Sequence, residues 1–312
     1  MSRRKNNCAG VNRLFLLIMC SMIFVPLAAA RFLAPADIDI YDSTVFSAYL
    51  YLIPVLLYVA VTRGRCVEDI PFSPLRPGTI LLIILFSILL LPVVTWINMF
   101  SMMFSENYVS QEMESAVAEP FLKNMIFLAV IPAVLEEYSV RGVLFHGYRR
   151  AGILKGAVVS GVLFGLMHRN FNQFCYAAAL GVIFALLVEA TGSIFASMIA
   201  HFTINMNSVI IIELESSIVM NSGAGNQTQT TLSGAEYMIM WAYDTVIAVI
   251  FGLMAFGVFV WITRRSRRKE HMCEILHPGE ARNEENSSRI LTPSLAAGVF
   301  ICIVYMIILE FV

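Results

Sequence analysis

The sequence predicts an all-α, polytopic membrane protein with about nine transmembrane helices. Hydrophobic residues make up 58% of the 312-residue chain and charged residues only 14%, whereas about a quarter of the residues of an ordinary soluble protein are charged. Apolar segments recur along the whole chain, most of them near the roughly 20 residues that a helix needs to cross a bilayer. These observations exclude an ordinary soluble domain. We expect the chain to lie in the lipid bilayer and not to bind nucleic acid.

The apolar segments divide the chain into three parts. We expect N-terminal helices one to three in 1–120, a core of helices four to seven in 121–212, and a polar outer loop, a basic cytoplasmic loop and the C-terminal helices in 213–312. The outer loop is predicted at 213–235 and the cytoplasmic loop at 264–291. The predicted spans are 14–33, 45–62, 79–100, 121–146, 153–168, 174–190, 193–212, 236–263 and 293–311.

The distribution of charge predicts the orientation. If the N-terminus is cytoplasmic, every basic cluster lies inside and every acidic cluster outside, as the positive-inside rule requires. We therefore expect an integral, multi-pass protein of a prokaryotic plasma membrane. The first span also resembles a signal peptide ending at Ala28–Ala30, and its retention as an anchor or its cleavage leaves the same topology. The basic clusters are 3–13, 63–76, 149–155 and 264–269, and the acidic clusters are 37–42, 106–119 and 213–215.

Three predicted spans carry polar groups at similar depth. An ionisable side chain inside the bilayer costs at least about 2.5–3.5 kcal/mol. A buried ion pair, an interfacial histidine or a hydrogen bond between helices could explain each group singly. A rise of 1.5 Å per residue, however, places Glu136, His168 and His201 roughly 14–22 Å from the cytoplasmic ends of their helices. This agreement predicts one shared site. The groups are Glu136, Glu137 and Arg141 on the fourth span, His168 on the fifth, and His201 and Asn205 on the seventh.

Helical spacing separates the two glutamates. Glu137 and Arg141 are four residues apart and can pair on one face of a helix, which predicts a structural role for both. Glu136 is rotated by about 100° from Glu137 and remains free for chemistry. Pro132 removes the hydrogen bond to the carbonyl of Leu128 and is expected to kink the helix.

Two hydrolytic mechanisms fit these residues. Glu136, His168 and His201 could bind zinc with water in the open position, but a separate general base would then be needed, and Glu137 is paired. Alternatively, Glu136 helped by His168 deprotonates water, and His201 and Asn205 donate hydrogen bonds to the oxyanion. The second mechanism needs no cofactor. The residues leave metal use open.

Three segments resemble the motifs of one family. EEYSVR (Glu136 to Arg141), FGLMH (Phe164 to His168) and HFTIN (His201 to Asn205) are similar to the EExxxR, FxxxH and HxxxN motifs of the CPBP family of intramembrane proteases, relatives of the Rce1-type CAAX prenyl endopeptidases. The resemblance covers about residues 120–210. One departure is Val140, where relatives usually have an aromatic residue.

The resemblance implies a membrane endopeptidase, described in the family as either metal-dependent or glutamate-based. It implies that Glu136 and His168 activate water and that His201 and Asn205 stabilise the oxyanion, acting on a membrane protein or peptide. A catalytically silent immunity or scaffold protein of the same family is the alternative function. A proton-coupled transporter is a third hypothesis, disfavoured by the odd number of spans and the lack of a detectable inverted repeat. The substrate and the oligomeric state do not follow from the sequence.

Overall fold

The computed structural model describes residues 8–32, 40–68, 70–105, 116, 117, 119–222, 234–277 and 290–311. Within these residues the fold consists of ten helices and contains no strand, which confirms the predicted fold class. The helices, numbered along the chain, are α1 (Ala9–Phe32), α2 (Ile40–Val61), α3 (Pro77–Ser101), α4 (121–149), α5 (Ile153–Met167), α6 (Phe171–Thr191), α7 (Ile194–Ser222), α8 (Gly234–Arg265), α9 (Lys269–Leu276) and α10 (Pro293–Phe311).

Seven helices of the described chain, α1, α2, α3, α6, α7, α8 and α10, are long and apolar enough to cross a membrane. The other two predicted spans are α4, which two π-helical segments interrupt, and α5, which has only 15 residues. A helix of that length extends about 22 Å, less than the roughly 30 Å of a bilayer core. Each predicted span therefore corresponds to a helix. Of the two unusual helices, α4 carries Glu136 and α5 ends immediately before His168.

Both predicted soluble loops are wrong in part. The outer loop was expected from residue 213, but α7 continues to Ser222 because no glycine or proline interrupts the chain before Gly223. The inner loop contains α9, an amphipathic helix that buries Met272 and Ile275 against Ala190. Parts of both loops, and of the N-terminal basic cluster and two acidic clusters, lie outside the described residues.

Helices α5 and α6 form the tightest contact of the fold. A Cβ atom on Gly161 would lie 2.7 Å from the backbone nitrogen of Val182, and one on Gly181 would lie 2.6 Å from Cα of Gly161. The two backbones touch at this level because neither residue has a side chain. Around this pair, α3 and α8 pack on one side of the α4–α7 core and α1, α2 and α10 on the other.

A buried carboxylate joins the helices at one end of the core. Glu189, near the end of α6, is 3% exposed and accepts hydrogen bonds from Nη2 of Arg149 at 3.1 Å and Nε2 of His271 at 2.7 Å. Nη2 of Arg268 lies 3.6 Å from the same carboxylate. Glu189 therefore ties α4, α6 and the start of α9 together at the end of the molecule that carries the basic segments.

Candidate active site

The shape of α4 places its polar residues. Pro132 has no N–H to donate to the carbonyl oxygen of Leu128, and π-helical turns flank this point at Met125–Val130 and Tyr138–Phe145. The amide of Asn205 on α7 donates a hydrogen bond of 3.2 Å to Leu128 O. The carbonyl that the proline leaves unpaired is thereby bonded to a residue of the predicted site, and α7 is fixed against α4.

The predicted pair between Glu137 and Arg141 is present and fully buried. Nη1 of Arg141 donates to Oε1 of Glu137 at 2.7 Å, and both side chains have no exposed surface. The guanidinium carbon lies 4.4 Å from the ring centre of Phe164 and 5.1 Å from that of Phe184, and Nη2 donates to the carbonyl of Gly181 at 3.3 Å. Two aromatic faces and a carbonyl therefore help to stabilise a cation that would otherwise be costly to bury.

Glu137 has a second partner that helical spacing did not reveal. Nδ1 of His201 lies 2.9 Å from Oε1 of Glu137. A carboxylate oxygen only accepts, so Nδ1 carries the proton and Nε2 is the nitrogen left for the cavity. The ring of Phe184, 5.7 Å away, packs against the imidazole. The structural ion pair therefore also fixes the orientation and the tautomer of His201.

His168 is oriented in the same manner by a backbone group. Its Nδ1 lies 2.9 Å from the carbonyl oxygen of Phe164, one turn earlier, and a carbonyl can only accept. Nδ1 is therefore the protonated nitrogen, and Nε2 has the free lone pair of a neutral imidazole. The Phe164 ring packs edge to face against His168 with a centroid distance of 4.9 Å. Phe164 thus supports both His168 and Arg141.

Glu136 points away from this buried pair, as its rotation on the helix predicted. Its side chain is 22% exposed, and Oε2 lies 4.0 Å from Nε2 of His201. It lines a cavity of about 520 Å³ together with His168, His201 and Asn205. The structure therefore brings all four predicted catalytic residues to one cavity and places Glu137 and Arg141 behind it.

The cavity has further lining residues that the sequence reasoning missed. Tyr51 of α2 is buried and lines it, as do Phe184 and Gln173 of α6 and Arg169 beside His168. No motif spacing links Tyr51 to the other helices, so the sequence offered no signal for it. Phe184 lies in an apolar helix where one aromatic residue resembles any other. Arg169 adjoins a motif residue and could have been considered.

The side chains at the cavity include types that can act as zinc ligands. His168 and His201 each retain one ring nitrogen without a described protein donor or acceptor at hydrogen-bond distance, and Glu136 is nearby, which is the ligand chemistry that zinc accepts. Within the described ranges, however, no three His, Cys, Asp or Glu side chains are grouped closely enough to hold a metal ion. The side chains as placed do not form a metal centre, and none of the proposed catalytic steps uses a metal ion.

Fold and site together define a class: a polytopic helical membrane protein with a carboxylate and two imidazoles in an intramembrane cavity. Residues 118–207 match the family model described as type II CAAX prenyl endopeptidase Rce1-like. The chain is also 28% identical over 92 residues to "Putative membrane peptidase YdiL" of Bacillus subtilis (strain 168). The segment matched by the family model contains all six predicted site residues, and the two comparisons together support the resemblance of this segment to the CPBP family of intramembrane proteases.

The matches are confined to the core of the chain. The YdiL alignment covers 29% of this chain and 37% of that relative, so the chain spans little more than a third of the relative's length. No solved structure matches the chain significantly. The comparisons support a membrane endopeptidase in general terms. The reaction mechanism and the substrate are proposals.

Proposed function

We propose that this protein is an intramembrane endopeptidase that hydrolyses a peptide bond of a membrane-associated protein or peptide with water activated by Glu136. The observation that carries the proposal is the position of Glu136. It is a partly exposed carboxylate at a cavity, with Oε2 4.0 Å from Nε2 of His201, while the neighbouring Glu137 is neutralised by Arg141. A positioned carboxylate that is not paired with Arg141 is suited to take a proton from water.

The proposed reaction assigns one task to each residue. Glu136 removes a proton from a water molecule, and the resulting hydroxide attacks the scissile carbonyl carbon. Glu136 then passes this proton through Nε2 of His168, whose Nδ1 is bonded to Phe164 O, to the leaving amine, so that Glu136 is regenerated and one water is consumed per bond cleaved. The oxyanion accepts hydrogen bonds from the second amide hydrogen of Asn205 and from Nε2–H of protonated His201.

The contact between His201 and Glu137 supports its oxyanion role. Because Nδ1 already donates to Glu137, His201 can offer a second donor only as an imidazolium. Glu137, 2.9 Å away, holds the ring in that orientation. Glu137 is therefore a positioning residue for His201, while Arg141 holds the carboxylate in place.

The test is cleavage by the purified protein in detergent. We expect the full-length chain to cleave a pool of membrane-derived peptides and Glu136→Gln to lose at least about 100-fold in kcat, since general base catalysis contributes about 10²–10⁴-fold. His168→Ala should also lose activity. Glu215→Gln, the same change at an exposed position of α7, is the matched control and should cleave like the parent.

Equal cleavage by the parent and Glu136→Gln would contradict the mechanism. No cleavage by any variant would support the alternative of a catalytically silent immunity or scaffold protein. A chelator arm tests zinc: the metal-free mechanism expects unchanged activity, and loss of activity that added zinc restores would overturn it.

A further inference from the structure

We propose that the cavity opens on the extracytoplasmic side of the membrane and that the substrate is a peptide segment exposed there. The first part rests on geometry and charge alone. The second part also rests on the function proposed above. The consequence is a substrate class, namely secreted, surface-exposed or extracytoplasmic juxtamembrane segments, rather than the tails of cytoplasmic proteins.

The mouth of the cavity lies at one end of the helix bundle. The lining includes Ser43 and Ser47 from the first turns of α2, Asn170 and Gln173 from the junction of α5 and α6, and Ser208 from the later half of α7. Because successive helices run in opposite directions, the start of α2, the end of α5 and the start of α6 share one side of the molecule. The polar rim of the cavity is therefore on this side.

Buried side chains fill the core between Glu136 and the far end of α4. Arg141, one turn after Glu137, lies between Phe164 and Phe184 and is 1% exposed. Further along α4, Phe145 and Tyr148 have no exposed surface, and the Tyr148 hydroxyl donates to Oδ1 of Asn12 in α1. These side chains lie between Glu136 and the end of α4 at which Arg149 binds Glu189. We therefore expect water and peptide to reach Glu136 through the rim at Ser43.

The charges identify which side the rim is on. Of the 16 lysines and arginines among the described residues, Arg141 is in the core and three, Arg31, Lys123 and Arg169, belong to the side of the rim. The other 12 belong to segments on the opposite side, when the spans alternate as the helix order requires. Such an excess marks the cytoplasmic side. The rim is consequently extracytoplasmic.

The cavity is suited to a polar, unfolded peptide segment. Its rim offers hydroxyl groups from Ser43 and Ser47 and the amide of Gln173, which can bond the backbone of an incoming chain. Aromatic residues, among them Phe164 and Phe184, line the deeper part near Glu136. Its volume of about 520 Å³ is within the roughly 300–1,000 Å³ of ligand sites, enough for a few residues around a scissile bond.

Cysteine labelling in cells tests the orientation without using activity. The background replaces Cys20, Cys66, Cys175 and Cys273 by serine and keeps Cys8 and Cys302, which are buried and therefore inert. One variant adds Ser43→Cys at the exposed rim position, and a matched variant restores the exposed Cys273 of α9. A membrane-impermeant maleimide is applied to intact and to permeabilised cells, with the background chain as the blank.

We expect Ser43→Cys to label in intact cells to nearly the extent seen after permeabilisation, and Cys273 to label only after permeabilisation. The reverse pattern would overturn the proposal. Failure of Ser43→Cys to label even in permeabilised cells would also contradict it, because the rim would then not be open to water.

A second arm tests the substrate class. The same peptide pool is added to intact spheroplasts and to inverted vesicles that contain the parent protein, with Glu136→Gln as the blank. Cleavage by spheroplasts and not by sealed inverted vesicles supports the proposal, and the opposite result refutes it. No cleavage in either preparation, with Ser43→Cys labelled from outside, would refute the enzymatic function and this substrate class while leaving the orientation of the cavity intact.

Discussion

At the scale of single residues, the site depends on one buried carboxylate with two partners. Oε1 of Glu137 accepts from Arg141 at 2.7 Å and from His201 at 2.9 Å. A buried ion pair of this kind adds little net stability, but removal of one member leaves an uncompensated charge. Glu137 therefore links the stability of α4 to the orientation of a proposed catalytic residue on α7.

This arrangement predicts the effect of breaking the pair. We expect Arg141→Leu to lower the free energy of unfolding by about 3–5 kcal/mol, measured by chemical denaturation in detergent. The double variant Glu137→Met with Arg141→Leu should recover part of that loss, because no unpaired charge remains. A double variant as unstable as Arg141→Leu would show that the aromatic contacts of Arg141, rather than its charge, are the important ones.

At the scale of helices, one hydrogen bond connects the proline turn of α4 with α7. Pro132 leaves Leu128 O without its helical donor, and Asn205 supplies the donor from α7 at 3.2 Å. An unsatisfied buried carbonyl costs about 1–3 kcal/mol. Asn205 thus has a structural task in addition to the oxyanion role proposed for its second amide hydrogen.

A double-mutant cycle tests the structural task. Asn205→Ala should destabilise the protein by about 1–3 kcal/mol, as measured by unfolding in detergent. In a Pro132→Ala background the same change should cost clearly less, because residue 132 then has an N–H that can bond Leu128 O within the helix. Equal costs in both backgrounds would show that Asn205 and Leu128 O are not coupled.

At the scale of the whole molecule, one end of the bundle is tied together and the other is open. Glu189 joins α4, α6 and α9 through Arg149, Arg268 and His271. The polar cavity and its rim lie toward the opposite end. This asymmetry is the basis of the proposal that water reaches the site from one side of the membrane only.

We expect the contacts between α9 and the rest of the bundle to weaken when the charge of Glu189 is removed. In Glu189→Gln the neutral amide cannot bind the two guanidinium groups and the N–H of His271 equally well, so α9 should detach more often. Trypsin added to inverted vesicles should then cut after Arg267 or Arg268 several times faster than in the parent. Glu213→Gln changes an exposed carboxylate of α7 and is the control. Equal rates of trypsin cleavage for Glu189→Gln and the parent would show that Glu189 does not hold α9 in place.

Local sequence rules predicted the features that depend on one helix or on spacing within it. The Glu137–Arg141 pair and the separate direction of Glu136 both follow from helical periodicity and are present in the structure. The predicted span ends at residue 212 because polar residues follow it, but these contain no helix breaker, and α7 continues through them to Ser222. The catalytic roles of the four cavity residues stay predictions.

The sequence by itself determined that the chain is a bundle of membrane helices, which helices carry polar groups and at what depth. Composition and helical rise fix these properties, because they depend on residue type and on distance along one helix. Only the tertiary structure decided which groups face one another: His201 on Glu137, Asn205 on Leu128 O, Arg141 between Phe164 and Phe184, and Tyr51 at the cavity. These contacts join residues far apart in the chain. They are determined by how packed helices rotate and approach one another, which a local sequence pattern does not predict.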